Sequence, residues 1–280
     1  MAKECKNMAI KFVTGYSGCG GSTVCLLEHC KLLDSAGFDV FFYGDQDWHL
    51  TRYRNSRRMS EFSVSSEDVI IYHYIHADHR PNCSKFLLFL QETSLYDLRT
   101  VDRSLPNTFL RPNVSFFDEI LFVSESHRSW HGFQEGRIVP NFISHLVDKS
   151  AHRPPDQNIA GVVGHVHPIK NSHVSIQRAL EDGVSMVKIY GPAYPPYFDQ
   201  EIRPLLSDRV IYMGHYEPER RMEMYNEFDV LYHFGEYESA CLVLGECRII
   251  GKSVVKCDAL KDYDIRTEQE ILQIWKSIID

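Results

Sequence analysis

A short apolar run that opens into a glycine-rich loop and then into a helical pattern constrains this chain more than any other feature. Residues 9–14 (AIKFVT) have strand length, and Gly15-Tyr-Ser-Gly-Cys-Gly-Gly21 follows them. Ser22 then starts a helix-like spacing of apolar residues that lasts to Ala36, where Gly37 stops it. Residues 38–43 (FDVFFY) read as a second strand. Two strands joined through a helix form a βαβ unit with a right-handed crossover, so the first sheet is predicted to be parallel.

The pattern continues. Residues 68–74, 85–91 and 119–124 are further apolar runs, too far apart for hairpins, and residues 136–141 close the first half. The polar, proline-rich stretch at 152–158 reads as a linker, and five more strand-length runs follow at 159–164, 185–190, 210–213, 230–234 and 253–255. Thr267 with Glu270 three residues on is a capping-box signature for a terminal helix through Ile279. A length of 280 residues accommodates two such domains. The predicted fold class is α/β with two Rossmann-like domains, residues 1–150 and 151–265, and a helix at 266–280 that packs back on the first.

A net charge of −8 argues against a nucleic-acid binder, which needs a basic face. Eight cysteines without CxxC spacing, behind a polar start with no leader-like stretch, suggest reduced thiols, no zinc site and a cytoplasmic setting. No apolar run approaches the roughly 18 residues of a transmembrane helix. Arg52, Arg54, Arg57 and Arg58 form either a solvated face or a peripheral contact with anionic headgroups.

The richest chemistry lies in the second half. Glu238 and Glu246 stand eight residues apart, at a predicted loop-to-helix junction after the 230–234 strand. A helix N-terminus carries partial positive charge and unpaired amides, so the backbone of Ser239, Ala240, Cys241 and Leu242 is suited to a diphosphate. Counting one helix from Glu238, Glu246 falls about 12 Å further along at 1.5 Å per residue, in reach of a ribose. By themselves two glutamates at this spacing are equally a solvated helix face.

Their surroundings add to them. Residues 224–232 (MYNEFDVLY) and 245–255 (GECRIIGKSVV), with Phe122-Val-Ser-Glu-Ser126, Val139-Pro-Asn-Phe-Ile143, residues 159–170 and residues 209–214, resemble in order the signature of family 4 retaining glycosyltransferases. The resemblance implies a GT-B arrangement, two Rossmann-like domains facing across a cleft, and transfer from a nucleotide diphosphate sugar to a hydroxyl acceptor. The chain is short for such enzymes, a compactness that resembles glycosyltransferases carried by large DNA viruses.

By the same resemblance Glu238 faces the donor sugar and Glu246 the ribose. Lys170 and His165 meet the diphosphate, His165 standing where an arginine is usual. His215 and Tyr216 border the nucleobase, and Gly191, at the carboxyl end of a predicted strand, borders the diphosphate or the acceptor. A UDP-sugar with a hexose or a pentose such as xylose is the favoured donor, a glycan or small hydroxyl compound the acceptor. No cofactor is expected, and a divalent metal is unnecessary where a helix dipole and Lys170 neutralise the leaving group.

In the first half the resemblance implies that Gly20 and Gly21 let backbone approach the donor diphosphate or the acceptor, for which the absence of a side chain suits them. His73 and His76 follow the third strand as candidate catalytic or sugar-contacting groups, with Glu92 and Asp97 further along. The same glycine loop with Asp45 also suits a nicotinamide-dependent oxidoreductase, and Asp45-Gln-Asp47 is a short metal-type motif. Three classes therefore stand: a glycosyltransferase, an NAD-dependent oxidoreductase, and a non-catalytic protein that binds a sugar nucleotide or glycan.

Overall fold

The computed structural model describes residues 8–15, 21–73, 75, 77–91, 114–142, 147–235, 238–258, 260 and 266–280. These fall into two compact units, one built from residues up to 142 together with 266–280, the other from 147–260.

The first unit holds β1 (Ala9–Thr14), β2 (Asp39–Gly44), β3 (Ser56–Arg58), β4 (Val69–His73), β5 (Lys85–Leu90), β6 (Glu119–Phe122) and β7 (Arg137–Ile138). Their order is β3-β2-β1-β4-β5-β6-β7, every pair parallel. β1 is an interior strand, with Phe12 beside Phe42 on one side and Ile71 on the other. The second unit repeats the plan with β8 (Ile159–Val163), β9 (Met186–Tyr190), β10 (Val210–Gly214), β11 (Val230–His233) and β12 (Ser253–Lys256) in the order β10-β9-β8-β11-β12, again all parallel. In both sheets the chain runs outward from its first strand and then restarts on that strand's other side. The carboxyl ends of β1 and β4, and of β8 and β11, are thus topological switch points, where open α/β sheets bind ligands. Each unit is Rossmann-like.

Two sequence readings change here. The 152–158 stretch is no free linker: the Asp229 carboxylate accepts from the backbone N–H of Asp156, Gln157 and Ile159, and Asn226 accepts from that of Arg153. Val147 already packs in the second core. Strand β3 is unforeseen, because three residues, two of them arginines, carry no apolar signal. The arginine cluster stays at the surface: Arg54, 75% exposed, pairs with Asp34 and Arg58, 51% exposed, with Asp47, while Arg52 lies over the Trp48 ring and Arg57 over that of Phe41. Asp47 of the metal-type motif is thereby an ion-pair partner. Among the described residues no helix is long and apolar enough to cross a membrane.

The terminal helix Glu268–Ile279 carries both halves of its capping box and buries Ile271, Trp275, Ile278 and Ile279, one stripe at helical spacing. Trp275 is fully buried against the edges of Phe12 and Phe89, and its Nε1–H donates to His29 Nδ1 at 3.0 Å. That bond requires His29 to accept, hence to stay neutral, and burial lowers its pKa to about 3. Burial lowers that of His73, in the same unit, to about 3 as well. Unfolded histidines take up protons near pH 6.5, so the unfolded state gains from acid while the fold does not. Stability is full above pH 6.5 and falls as the pH drops toward 3, at roughly 1.4 kcal/mol per pH unit per histidine. The melting temperature of the first unit is expected to decline steeply from pH 6.5 to 4.5, and His29→Phe to make that decline shallower. An equal slope in the variant would remove His29 from the account.

Candidate functional site

The loop after β8 is set by close backbone packing. Gly164 (φ 133°) leads out of the strand, Val166 bridges Ala193, and a single turn, Pro168–Lys170, ends at Asn171 in the left-handed region (φ 47°), from which helix Ser172–Glu181 starts. Gly191, at φ 136°, lies so near that a Cβ on it would stand 1.9 Å from the Gly164 carbonyl oxygen. The residue anticipated as a donor contact is therefore also the spacer that lets the two loops meet. Gly191→Ala is expected to destabilise the second unit by about 2–5 kcal/mol, through strain and forced displacement of the β8 loop. A denaturant midpoint equal to that of the parent protein would contradict this.

The loop delivers Lys170 to the β11 end. Lys170 Nζ donates to both carboxylate oxygens of Glu238, each at 2.7 Å, and His233 Nε2 donates to Glu238 Oε1 at 2.8 Å. The Glu238 side chain is 7% exposed and that of His233 6%. Burial works against the charge on Glu238, yet Lys170 and His233 hold its pKa down to about 2. Burial opposes charge on His233 too, but Cys241 and Glu238 push its pKa up to about 10. A carboxylate is thus held ionised between two cationic groups. Gly235 closes over them, where a Cβ would come within 3.1 Å of Glu238 Oε1 and His233 Nε2.

His165 and His167 stand on the same loop, their rings 5.1 Å apart. Burial first, and Lys170 next, lower the pKa of His165; burial, then His165 and Lys170, take His167 to about 4. At neutral pH both imidazoles are uncharged, so position 165 supplies a hydrogen-bonding group where the resemblance leads one to look for a second cation. Beside them the loop 190–197 forms with this turn a hollow of about 450 Å³, lined by Pro168, Asn171, His173, Tyr194, Tyr197 and Gln200 among others.

The helix near Glu238 begins later than its spacing to Glu246 suggests: it spans Leu242–Ile250, with Cys241 as its N-cap. Glu238, Ser239 and Ala240 precede it, so the 12 Å helical separation does not apply, and Glu246 lies little more than one turn in. The Glu246 carboxylate is buried and engaged, accepting from Arg221 Nη1 at 2.6 Å and from the Tyr225 hydroxyl. Tyr216 packs against that core, and its ring stacks with exposed His215 at 6.2 Å. His233, Arg221 and Tyr225 were not singled out from sequence. A histidine ending a strand at a switch point is a usable signal, whereas Arg221 and Tyr225 carry none, since only the fold brings them to Glu246.

At the switch point of the first unit, Thr14 Oγ1 lies 3.0 Å from His73 Nδ1, and the Gly15 N–H donates to the His73 carbonyl. His73, buried and neutral, offers hydrogen bonds and is a poor proton acceptor at neutral pH. Gly21 opens helix Gly21–Ser35, with nothing within 4 Å of where a Cβ would stand. Gly20, His76, Glu92 and Asp97 lie outside the described residues.

No family model and no curated protein matches the chain. Solved structures do. Anabaena HepE, in complex with UDP and glucose, is 16% identical with a TM-score of 0.66, over 98% of this chain and 90% of its own. A glycosyltransferase involved in avilamycin A biosynthesis is 16% identical with a TM-score of 0.63, over 96% and 88%. The pneumococcal O-GlcNAc transferase GtfA, in complex with UDP and GlcNAc, is 10% identical with a TM-score of 0.63, over 98% and 92%. These likenesses establish the fold, two Rossmann-like units as in GT-B glycosyltransferases.

Proposed function

We propose that the chain is a glycosyltransferase of the family 4 kind that moves a hexose or pentose from a nucleotide diphosphate sugar, UDP-linked by preference, to a glycan hydroxyl. The observation that carries this reading is the Lys170–Glu238–His233 cluster at the β8/β11 switch point, next to the N-terminus of helix Leu242–Ile250. An ionised, buried carboxylate is suited to the hydroxyls of a donor sugar. A lysine and a helix N-terminus beside it are suited to a departing diphosphate, which otherwise needs a metal ion.

In this reading Lys170 leaves Glu238 as the donor enters and follows the diphosphate, while Glu238 turns to the sugar and keeps His233 as its counter-charge. Backbone amides of residues 239–242 add hydrogen bonds to phosphate. Glu246, fixed by Arg221 and Tyr225, offers its remaining lone pairs to the ribose, and Tyr216 packs near the base. That HepE and GtfA carry UDP on this fold supports the choice of a UDP-linked donor.

A panel of UDP-sugars, GDP-sugars and NAD, scored for thermal stabilisation, tests it, because a ligand that binds only the folded state raises its stability. A UDP-sugar is expected to stabilise and NAD to have no effect. Stabilisation by NAD alone, or by no nucleotide at millimolar concentration, would remove the proposal. Hydrolysis of the stabilising donor then separates an enzyme from a binding protein.

A further inference from the structure

The cluster contains a second arrangement that the reaction does not use. Cys241 Sγ lies 3.5 Å from His233 Nε2, the same nitrogen that donates to Glu238 Oε1 at 2.8 Å. One ligand atom from each of the three residues lies within 4.8 Å of the others, the one such group of three or more among the described residues. Because thiol and carboxylate address the same ring nitrogen, the three are not a relay, in which a histidine uses one nitrogen for each partner. They converge on a point.

We propose that His233, Glu238 and Cys241 form an inhibitory site for a zinc-like divalent ion, and that the ion and the sugar nucleotide exclude each other. The inference rests on the donor-site reading above. Imidazole, thiolate and carboxylate together select borderline ions such as Zn²⁺ over Mg²⁺ or Ca²⁺. Bond lengths of about 2.0–2.3 Å place two ligands of one tetrahedral ion about 3.3–3.6 Å apart. The sulfur-to-nitrogen distance of 3.5 Å already meets that spacing. The nitrogen-to-oxygen distance of 2.8 Å is that of a hydrogen bond, and it opens by about 0.5 Å once the proton between the two atoms leaves. Binding displaces that proton and the thiol proton, leaves a fourth position for water, and turns Lys170 out to solvent, toward which its side chain is already 24% exposed.

Exclusion follows from Glu238, which cannot hold the ion and the donor sugar together. Lys170 acts with opposite sign on the two ligands. It attracts a diphosphate, and it competes with a metal for Glu238. Lys170→Met is therefore expected to weaken UDP-sugar and tighten the metal, which a chance surface site would not do.

Co²⁺ serves as the probe in titrations of the 280-residue chain, followed by absorption. One equivalent should bind with thiolate-to-cobalt charge-transfer absorption, which Cys241→Ala and Cys241→Ser remove, His233→Gln weakens and Cys257→Ala leaves intact. Zn²⁺ should displace Co²⁺ and raise the apparent Kd of UDP-sugar at least tenfold. Absent thiolate absorption, or absorption undiminished in both Cys241 variants, overturns the site. Metal bound at Cys241 with unchanged UDP-sugar affinity overturns the inhibition. If no sugar nucleotide binds even to metal-free protein, the functional reading fails, and the cobalt titration still decides the site by itself.

Discussion

Glu238→Gln is expected to lower kcat/KM for sugar transfer by 10²–10³-fold or more, about 3–4 kcal/mol of transition-state stabilisation. The substitution keeps the shape and removes the charge, so Lys170 and His233 lose the carboxylate both address. Removing one partner of a buried ion pair usually costs about 3–5 kcal/mol because the other is stranded. Here Lys170 is partly exposed and turns to solvent, and His233 gives up its proton, which softens the loss. UDP without a sugar should bind as well as before or more tightly, since Lys170 is released from its pair. The pairing of lost transfer with retained UDP affinity is the signature of a residue that acts on the sugar. Parent-level turnover in Glu238→Gln would sink the reading; loss of UDP binding alongside transfer would point to a damaged fold, which near-UV circular dichroism identifies.

The sheets were legible because their information is local. A parallel strand buried on both faces reads as a run such as residues 9–14 or 159–164, and the described residues hold twelve strands where eleven such runs predict eleven. The twelfth, Ser56–Arg58, is short, at the sheet edge and carries arginines, so its pairing with β2 leaves no apolar trace. The capping box at Thr267 was equally local, and both of its hydrogen bonds are present. In contrast the ties from residues 153–159 to Asn226 and Asp229 span some 70 positions, and a proline-rich segment held by distant side chains looks like a free one.

The candidate site divides along the same line. Lys170 and Glu238 stood out singly, through the strand ends that precede them, but their bond to each other depends on β8 and β11 being neighbours. The sequence spacing makes Glu246 the far end of a helical ruler starting at Glu238. The chain instead keeps residues 238–241 out of the helix, and Arg221 and Tyr225 take hold of the carboxylate. Position 165 shows the limit of reading charge from a residue type. Histidine there looks like a weaker arginine, yet burial and the adjacent Lys170 keep it neutral.

That neutrality puts unusual weight on Lys170. With His165 and His167 uncharged, the ammonium of Lys170 is the charge that the β8 loop itself brings to Glu238, and Lys170→Met should weaken UDP binding roughly 10²-fold, the value of one or two hydrogen bonds to a charged group. The effect is a net one, because in the free protein Lys170 must first leave a bidentate pair with Glu238. Glu238 keeps His233 as counter-charge in the variant, so folding should survive and the loss can be read as binding. Lys170→Arg is not expected to rescue it: the planar guanidinium needs more room than the ammonium and prefers to stay forked on the carboxylate. Calorimetry at two salt concentrations makes the test sharper, since losing a phosphate-facing charge also reduces the salt dependence of UDP binding. If Lys170→Met binds UDP like the parent protein, the diphosphate is held by the amides of residues 239–242 instead, and Lys170 serves only to keep Glu238 ionised until a donor arrives.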